Sequence, residues 1–333
     1  MNLPSSLPSG FNAGSPEIAV EAVPLCPVCR STTRTRFASG HDYEIETCRN
    51  EWHFWRCEDC GTVWLDPRPA VQTLSIIYPP HYYAYAMSET ISPVALKGKD
   101  FLDRRKFSTI LAKTSKAPTS FLDVGCGDGK YLKMFARRGM SKDRIYGLEL
   151  SAAAVQRLRE DGFQTFQRRV EDCTEIPNGS IDLASMFHVI EHVDDPIRVV
   201  RRVAEWLAPG GILAIETPNI ASLDATMFKR RWWGGYHFPR HWTLFDADSL
   251  KRLLEEGGLE VKAFSYQTGH SFWMYSFHHL IKYNAIFRSR WLARWFDPMK
   301  GIPMLIGFTG VDILRRMFRA RTSAILMIAR KPA

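Results

Sequence analysis

From Ser120 onward the chain alternates short apolar runs with amphipathic stretches of helical period. Ser120–Val124, a short apolar run, and Arg144–Leu150, Phe163–Arg168, Ile181–Phe187, Ile212–Thr217, Leu259–Tyr266 and Ser323–Ala329 read as strands. Between them, Lys130–Arg138, Ala152–Asp161, Pro196–Leu207 and Asp246–Glu256 repeat apolar residues at the spacing of one helix face. Ser151 is placed to cap the second of these helices. Pro209-Gly210-Gly211 is expected to stop the third, and Gly257-Gly258 the fourth. Strands alternating with helices predict an α/β fold, a mainly parallel seven-stranded sheet covered on both faces. Ligands of such a sheet bind at the carboxyl ends of its strands.

Before Ser120 the pattern changes. MNLPSSLPSGFNAGSPE has neither a basic start nor an apolar run, so it is not expected to be a signal peptide. Its Pro, Ser, Gly and Asn content reads as a disordered lead-in over residues 1–24. A small ordered module is expected over residues 25–70, ending at the Leu65-Asp66-Pro67-Arg68-Pro69 turn. A connector and helix fill residues 71–117. The connector holds Tyr82 and Tyr83, expected to pack between domains. The helix, Lys97–Lys116, has Phe101, Leu102, Phe107, Ile110 and Leu111 on its apolar side. Residues 118–333 then form the main domain, with residues 267–322 inserted before its last strand.

Composition narrows the class. Of 333 residues, 45% are hydrophobic and 24% charged, an ordinary globular mixture that can bury a core. No apolar run reaches the roughly 18 residues expected of a transmembrane helix. The net charge of +9 points to an anionic partner or to solubility alone, the basic residues being spread along the whole chain. The 7 cysteines include two CxxC pairs, which favours metal ligation in a reducing, cytoplasmic setting over a disulfide framework.

Cys26-Pro27-Val28-Cys29 and Cys57-Glu58-Asp59-Cys60 are two matching knuckles, each setting two thiolates on one side of a tight turn. Two such turns face to face supply four sulfur ligands in a tetrahedron, which suits a closed, structural zinc ion. A redox cysteine pair would not need the second knuckle. Cys48 lies in the long gap between the pairs, as a substitute ligand or a bystander. The fold expected here is a zinc-ribbon-like module.

The segment Phe121-Leu122-Asp123-Val124-Gly125-Cys126-Gly127-Asp128-Gly129 carries the main chemistry. A strand runs into a turn where Gly125 and Gly127 let the backbone approach a ligand closely. The dinucleotide pattern GxGxxG would place glycine where Lys130 stands, which argues against a nicotinamide cofactor. Two acids flank the turn. Asp123 is placed for a cationic amino group, and Glu149, at the end of the next strand, for the two hydroxyls of a ribose.

With LDVGCGDG, YGLELS, SIDLASMFHVIEHVDDP and LAPGGILAIETPN in this order, the chain resembles the class I S-adenosylmethionine (SAM)-dependent methyltransferases, whose sheet is Rossmann-like. The resemblance covers about residues 118 to 265. It implies that Asp123, Gly125, Gly127 and Glu149 bind SAM. It places the loop Val170-Glu171-Asp172 by the adenine, with the choice between Glu171 and Asp172 open, and Phe187-His188 at the methyl-transfer site. The double-CxxC module, the Asp-Pro-Arg-Pro turn and the Tyr-rich connector look like the zinc-module methyltransferases of bacterial sugar, polysaccharide and natural-product pathways. That likeness implies a hydroxyl or carbon acid of a small molecule as acceptor.

Such an acceptor needs a base near neutral pH, and histidine suits the task. In Tyr236-His237-Phe238-Pro239-Arg240-His241-Trp242, His241 is the first candidate for a base or substrate-orienting group and His237 the second. His241 packed on Phe245 and bonded to backbone is the plainer alternative. His192 reads as a helix-start residue.

Within residues 267–322, aromatic residues including Trp273, Trp291 and Trp295 are interleaved with Arg288, Arg290 and Arg294; Arg315, Arg316, Arg319 and Arg321 follow, and residues 302–308 are apolar. Arginine and tryptophan on amphipathic helices suit a substrate lid that also touches an anionic membrane surface, with a lipid-linked substrate. A helical cap with a second aromatic core is the alternative. Nucleic acid is disfavoured: the chain shows no RNA-binding module, and Thr217-Pro218-Asn219 is not an amino-methylase motif. An RNA methyltransferase and a non-catalytic SAM-binding scaffold stay open as rival functions.

Overall fold

The computed structural model describes residue 7 and residues 11–79, 93–283, 289–298 and 301–333; Tyr82 and Tyr83 lie outside them. The chain forms two compact units. One is built from residues 1–79, 218–249 and 266–325, the other from residues 80–217, 250–265 and 326–333.

Short strands open the chain: β1 (Val20–Glu21), β2 (Arg34–Gly40), β3 (Trp52–Cys57), β4 (Val63–Leu65) and β5 (Arg68–Pro69), followed by α1 (Leu74–Ile77) and α2 (Pro93–Leu111). Alternation then sets in with β6 (Phe121–Val124), α3 (Lys130–Arg137), β7 (Ile145–Leu148), α4 (Ala152–Glu160), β8 (Gln164–Phe166), β9 (Ile181–Phe187), α5 (Pro196–Trp206) and β10 (Leu207–Pro218). The remainder is α6 (Leu223–Met227), β11 (Thr243–Leu244), α7 (Ala247–Glu256), β12 (Glu260–Gln267), α8 (His270–Tyr283), α9 (Arg290–Trp295), α10 (Ile302–Met317) and β13 (Ala324–Arg330).

The fold is α/β, and its main sheet has the order β12-β13-β10-β9-β6-β7-β8. β6 pairs in parallel with β7 on one side and β9 on the other, and β8 and β10 extend the two flanks in the same sense. The chain reverses its direction of travel at β6, so the carboxyl end of β6 is the switch point where such sheets bind ligands. The core on this sheet holds Phe121, Ile145, Leu183, Ile212 and Ile328, with Phe121 stacked on Phe135 at 4.1 Å.

Several boundaries move from their expected places. β7 is shorter than Arg144–Leu150, and β8 shorter than Phe163–Arg168. Pro209-Gly210-Gly211 does not stop a helix. α5 has already ended at Trp206, and the three residues form an irregularity inside β10, between the pairs Leu207↔Ile181 and Ile212↔Leu183. On α2, Phe107 and Ile110 are buried but Phe101 is 65% exposed. Six residues before Phe107 is the far side of a helix with about 3.6 residues per turn. The buried stripe runs instead through Asp103, Phe107 and Ile110.

In the other unit, β11-β4-β3-β2 form an antiparallel sheet over an aromatic core of Trp52, Phe54, Tyr236, Phe238 and Trp242. Residues 11–24 are not a disordered lead-in. Ile18 is buried, its N–H bonds Asn50 Oδ1 at 2.9 Å, and Asn12 Nδ2 donates to the Cys48 carbonyl at 2.7 Å. β1 also pairs with β5. Polar side chains satisfy this backbone where regular structure does not, a pairing that composition does not reveal.

Candidate functional site

The turn after β6 is built by two glycines and one acid. The amides of Gly125 and Cys126 both donate to the Leu148 carbonyl, at 2.8 and 3.0 Å, folding the chain back at the strand's end. Gly125 has φ +73°, and a Cβ there would lie 2.4 Å from Val189 Cγ2. Gly125 is itself exposed, although Val124 and Cys126 on either side are buried. Gly127, at φ +52°, gives its N–H to Glu149 Oε2 at 2.9 Å. The other oxygen of Glu149 accepts the amides of Leu150 and Ser151 at 2.7 and 2.9 Å. A carboxylate offers about four acceptor positions, so one remains for a ligand hydroxyl.

Asp123 sits beneath this turn, buried, in register with Ser185 of β9, whose hydroxyl donates to it at 2.6 Å. Burial pushes the carboxyl up to about 7; the Ser185 bond opposes this and the charge of Glu149 adds to it. An acid held near neutrality in this way gains most from a cationic ligand group.

At the end of β9, Phe187 meets Tyr131 edge-on at 5.5 Å, with the Lys106 ammonium 4.6 Å from its ring centre. His188 follows with φ +57° and a side chain 43% exposed. Its Nδ1 lies 3.2 Å from Glu191 Oε1 and its Nε2 3.5 Å from Glu216 Oε1. Partial burial works against its charge, but the two carboxylates outweigh it and raise the pKa to about 9. The two carboxylates thus favour the charged, hydrogen-bond-donating form of His188. Glu216 also meets Lys106 Nζ at 2.5 Å, and Asp103 takes Lys130 Nζ at 2.7 Å and Tyr131 Oη at 3.1 Å. Burial opposes the charge of Glu216, but Lys106 and His188 prevail and hold it at about 2. Sequence reasoning missed Lys106 and Glu216; an acid closing the apolar run Ile212–Ile215 was the available signal.

Glu171 and Asp172 lie in the 3-10 turn Val170–Asp172, with different environments. The Glu171 side chain is turned inward, 3.4 Å from Arg169 Nη2, and its carboxyl is raised by burial and by Asp194. Asp172 is exposed. His192 ends the 3-10 turn Ile190–His192.

His237 and His241 belong to the other unit, both buried, with ring centres 5.0 Å apart. His237, at φ +40°, sets Nδ1 2.7 Å from Glu44 Oε2. A carboxylate on one ring nitrogen fixes the orientation and tautomer of an imidazole. Nothing in the sequence marked Glu44 as this partner. His241 Nδ1 lies 2.8 Å from the Gly235 carbonyl, which can only accept. The neutral ring therefore carries its proton on Nδ1 and its lone pair on Nε2.

The same unit gathers Cys26, Cys29, Cys57 and Cys60, with all four sulfurs within 4.8 Å of one another. Cys26 and Cys60 are 3.5 Å apart, and Cys29 and Cys57 3.4 Å. Ligands at about 2.3 Å from a tetrahedral zinc ion are about 3.8 Å apart, so the donor set fits that metal in chemistry and spacing. The knuckles match in backbone as well: Arg30 N–H bonds the Cys26 carbonyl at 3.0 Å, and Gly61 N–H that of Cys57 at 3.1 Å. The hydrogen bond between Cys26 and Cys60 lowers the Cys60 thiol and raises that of Cys26, so the pair shares one proton. Cys48 stands apart, buried in the aromatic core.

Residues 98–263 match the family model described as a methyltransferase domain. A ubiquinone biosynthesis O-methyltransferase of Xanthomonas axonopodis pv. citri (strain 306) is 34% identical over 116 residues, 33% of this chain and 47% of that protein. One of Sodalis glossinidius (strain morsitans) is 36% identical over 104 residues, 29% of this chain and 41% of that protein. The matched segment thus spans less than half the length of these curated relatives. Among solved structures, the complex between the Haloferax volcanii Trm112 methyltransferase activator and the putative methyltransferase is similar with TM-score 0.47 and 14% identity, over 75% of this chain and 96% of that one.

Proposed function

We propose that this chain, with its methyltransferase domain at residues 98–263, is a SAM-dependent methyltransferase that methylates a hydroxyl or carbon of a small-molecule acceptor such as a sugar, glycolipid or natural-product intermediate. The observation that carries the reading is the glycine turn at the switch point of the sheet, closed on Glu149 with buried Asp123 beneath it. The bound cofactor supplies a methyl group on a sulfonium, already activated for transfer. What the protein adds is position, the exclusion of water and control of one proton.

Asp123 suits the cationic amino acid end of the cofactor, and Glu149, with one acceptor position left, suits a hydroxyl of its ribose. Gly125 and Gly127 keep side chains out of the cofactor's way. Glu171 or Asp172 borders the adenine, and Phe187 with His188 lines the reacting end. His188, held as a cation, orients an acceptor oxygen by donating to it. His241 and His237 are the proposed base or acceptor-orienting groups; the Glu44 contact favours a fixed tautomer at His237. Cys26, Cys29, Cys57 and Cys60 would hold a structural zinc ion with no part in the reaction.

Calorimetric titration of the full chain with S-adenosylhomocysteine tests the cofactor site. Micromolar binding, weakened at least about tenfold by Glu149→Ala, is expected. A folded protein that does not bind overturns the reading. Metal analysis is expected to find one zinc ion per chain, lost in Cys26→Ser.

A further inference from the structure

Helix α10 carries its polarity on the wrong side. Its one carboxylate, Asp312, is wholly buried, accepting the Gly269 amide at 2.8 Å and the Trp273 indole N–H at 3.3 Å. Phe308, also turned inward, stacks on Trp273 at 5.5 Å. The outward face is apolar: Ile302, Ile306, Ile313, Leu314 and Met317 are 39%, 58%, 42%, 55% and 74% exposed. Their spacing is that of one face of a helix, and Gly307 and Gly310 are exposed between them. From Ile302 to Leu314 the helix has no charged residue except the buried Asp312.

A surface helix in water normally shows the reverse arrangement. A contiguous apolar face of this kind marks a surface that is covered in use. Nearby α9 adds Trp291 and Trp295, 70% and 45% exposed. The charge around these side chains identifies the cover. From Ser289 to Arg321 the sequence has six arginines and one lysine against two aspartates. Arg294 is exposed on α9, and Arg319 and Arg321 are exposed just beyond the end of α10.

We propose that the outward faces of α9 and α10 form a docking surface for an anionic lipid bilayer. The isoleucine, leucine and methionine side chains would enter the boundary between headgroups and acyl chains, the tryptophans would lie at headgroup level, and the arginines would meet lipid phosphates. The helix lies on the bilayer and does not cross it: among the described residues no helix is long and apolar enough to span a membrane. A second copy of the chain is the poorer cover, because it would set one cationic strip against another on a protein of net charge +9. The inference does not rest on the proposed reaction.

The test is co-sedimentation of the full-length, zinc-loaded protein with vesicles of phosphatidylcholine alone or of phosphatidylcholine with phosphatidylglycerol. Roughly tenfold more protein should pellet with the anionic vesicles, and less as salt is raised. Ile306→Ser with Leu314→Ser, both at exposed positions, should abolish pelleting while circular dichroism and S-adenosylhomocysteine titration stay unchanged. Arg319→Glu with Arg321→Glu should remove the preference for anionic lipid. Protein that stays in solution with anionic vesicles at low salt overturns the proposal. So does a lipid-free dimer, seen by light scattering, that Ile306→Ser with Leu314→Ser converts to monomer, since a second copy would then cover the face.

Discussion

The Arg240 guanidinium grips the Asp42 carboxylate through two parallel bonds, Nη1 to Oδ1 at 3.0 Å and Nη2 to Oδ2 at 2.9 Å, and neither side chain is exposed at all. Arg240 Nε also donates to the Ile77 carbonyl at 2.8 Å, and Asp42 accepts the Thr47 amide and hydroxyl at 2.8 and 2.6 Å. One pair thus joins the N-terminal strands to the segment that holds His237 and His241.

Removing one partner strands the other charge in the core. Asp42→Ala is therefore expected to cost about 3–5 kcal/mol in urea unfolding. A loss below about 1 kcal/mol would mean that the pair is not formed in solution. Burial raises the Asp42 carboxyl, but Arg240 outweighs it and brings it down to about 2. Because the folded value lies below the unfolded one, this contribution is complete above about pH 4 and fades as pH falls toward 2.

At the cofactor turn, Gly125→Ala meets two obstacles, a left-handed backbone and the Val189 side chain. Gly127→Ala meets only the first, since nothing lies within 4 Å of a Cβ there. Gly127→Ala should cost about 1–2 kcal/mol, and Gly125→Ala clearly more. Adding Val189→Ala should recover part of the Gly125→Ala loss in thermal unfolding. Equal losses for the two single variants would refute the close approach to Val189.

Asp123 sets a pH dependence of opposite sign to that of Asp42. Its folded pKa, about 7, lies above the unfolded carboxylate value. Without ligand, stability should therefore fall as pH rises from about 4 to 7 and then level off. Asp123→Asn should remove this decline. S-adenosylhomocysteine binding should strengthen over the same range in the wild type, because in the proposed reading the ionised acid receives the ligand's ammonium group. Calorimetry at about pH 6 and 8 reads the difference, and affinity independent of pH would remove Asp123 from the site.

His188 should titrate near 9 by NMR. Glu216→Gln removes one of its two carboxylates and should lower that value. The raised pKa stabilises the fold most at low pH, a contribution lost as pH rises through about 9. An unchanged His188 titration in Glu216→Gln would show that the 3.5 Å contact carries no charge coupling.

The main sheet was legible because parallel strands, buried on both faces, are written as mostly apolar stretches such as residues 212–214 in β10 and 325–329 in β13. The glycine turn was legible because positive φ restricts the choice of residue at Gly125 and Gly127. What escaped was pairing across long stretches of chain. β11 joins β4 through Thr243 and Leu244, two residues without a strand signature. Asp42 and Glu44 stand in no sequence motif, and their partners Arg240 and His237 lie far along the chain. The lead-in looked disordered because its order comes from side-chain amides, Asn12 and Asn50, and not from periodicity. Pro209-Gly210-Gly211 misled because a turn signal and a strand irregularity use the same residues.

The unit holding the cysteine cluster is assembled from three separate stretches, and Tyr283 Oη reaches the Tyr43 carbonyl at 2.9 Å across 240 positions. During synthesis the N-terminal strands leave the ribosome with Trp52 and Phe54 lacking their later neighbours Tyr236 and Phe238. At about 5–20 residues per second, the intervening stretch takes on the order of ten seconds to appear. The metal proposed for the two knuckles could be captured before the core closes but could not replace that closure. A fragment cut after Pro79 would keep all four thiols and lose the aromatic half of its interior, so the module is a part of this protein that cannot be excised from it.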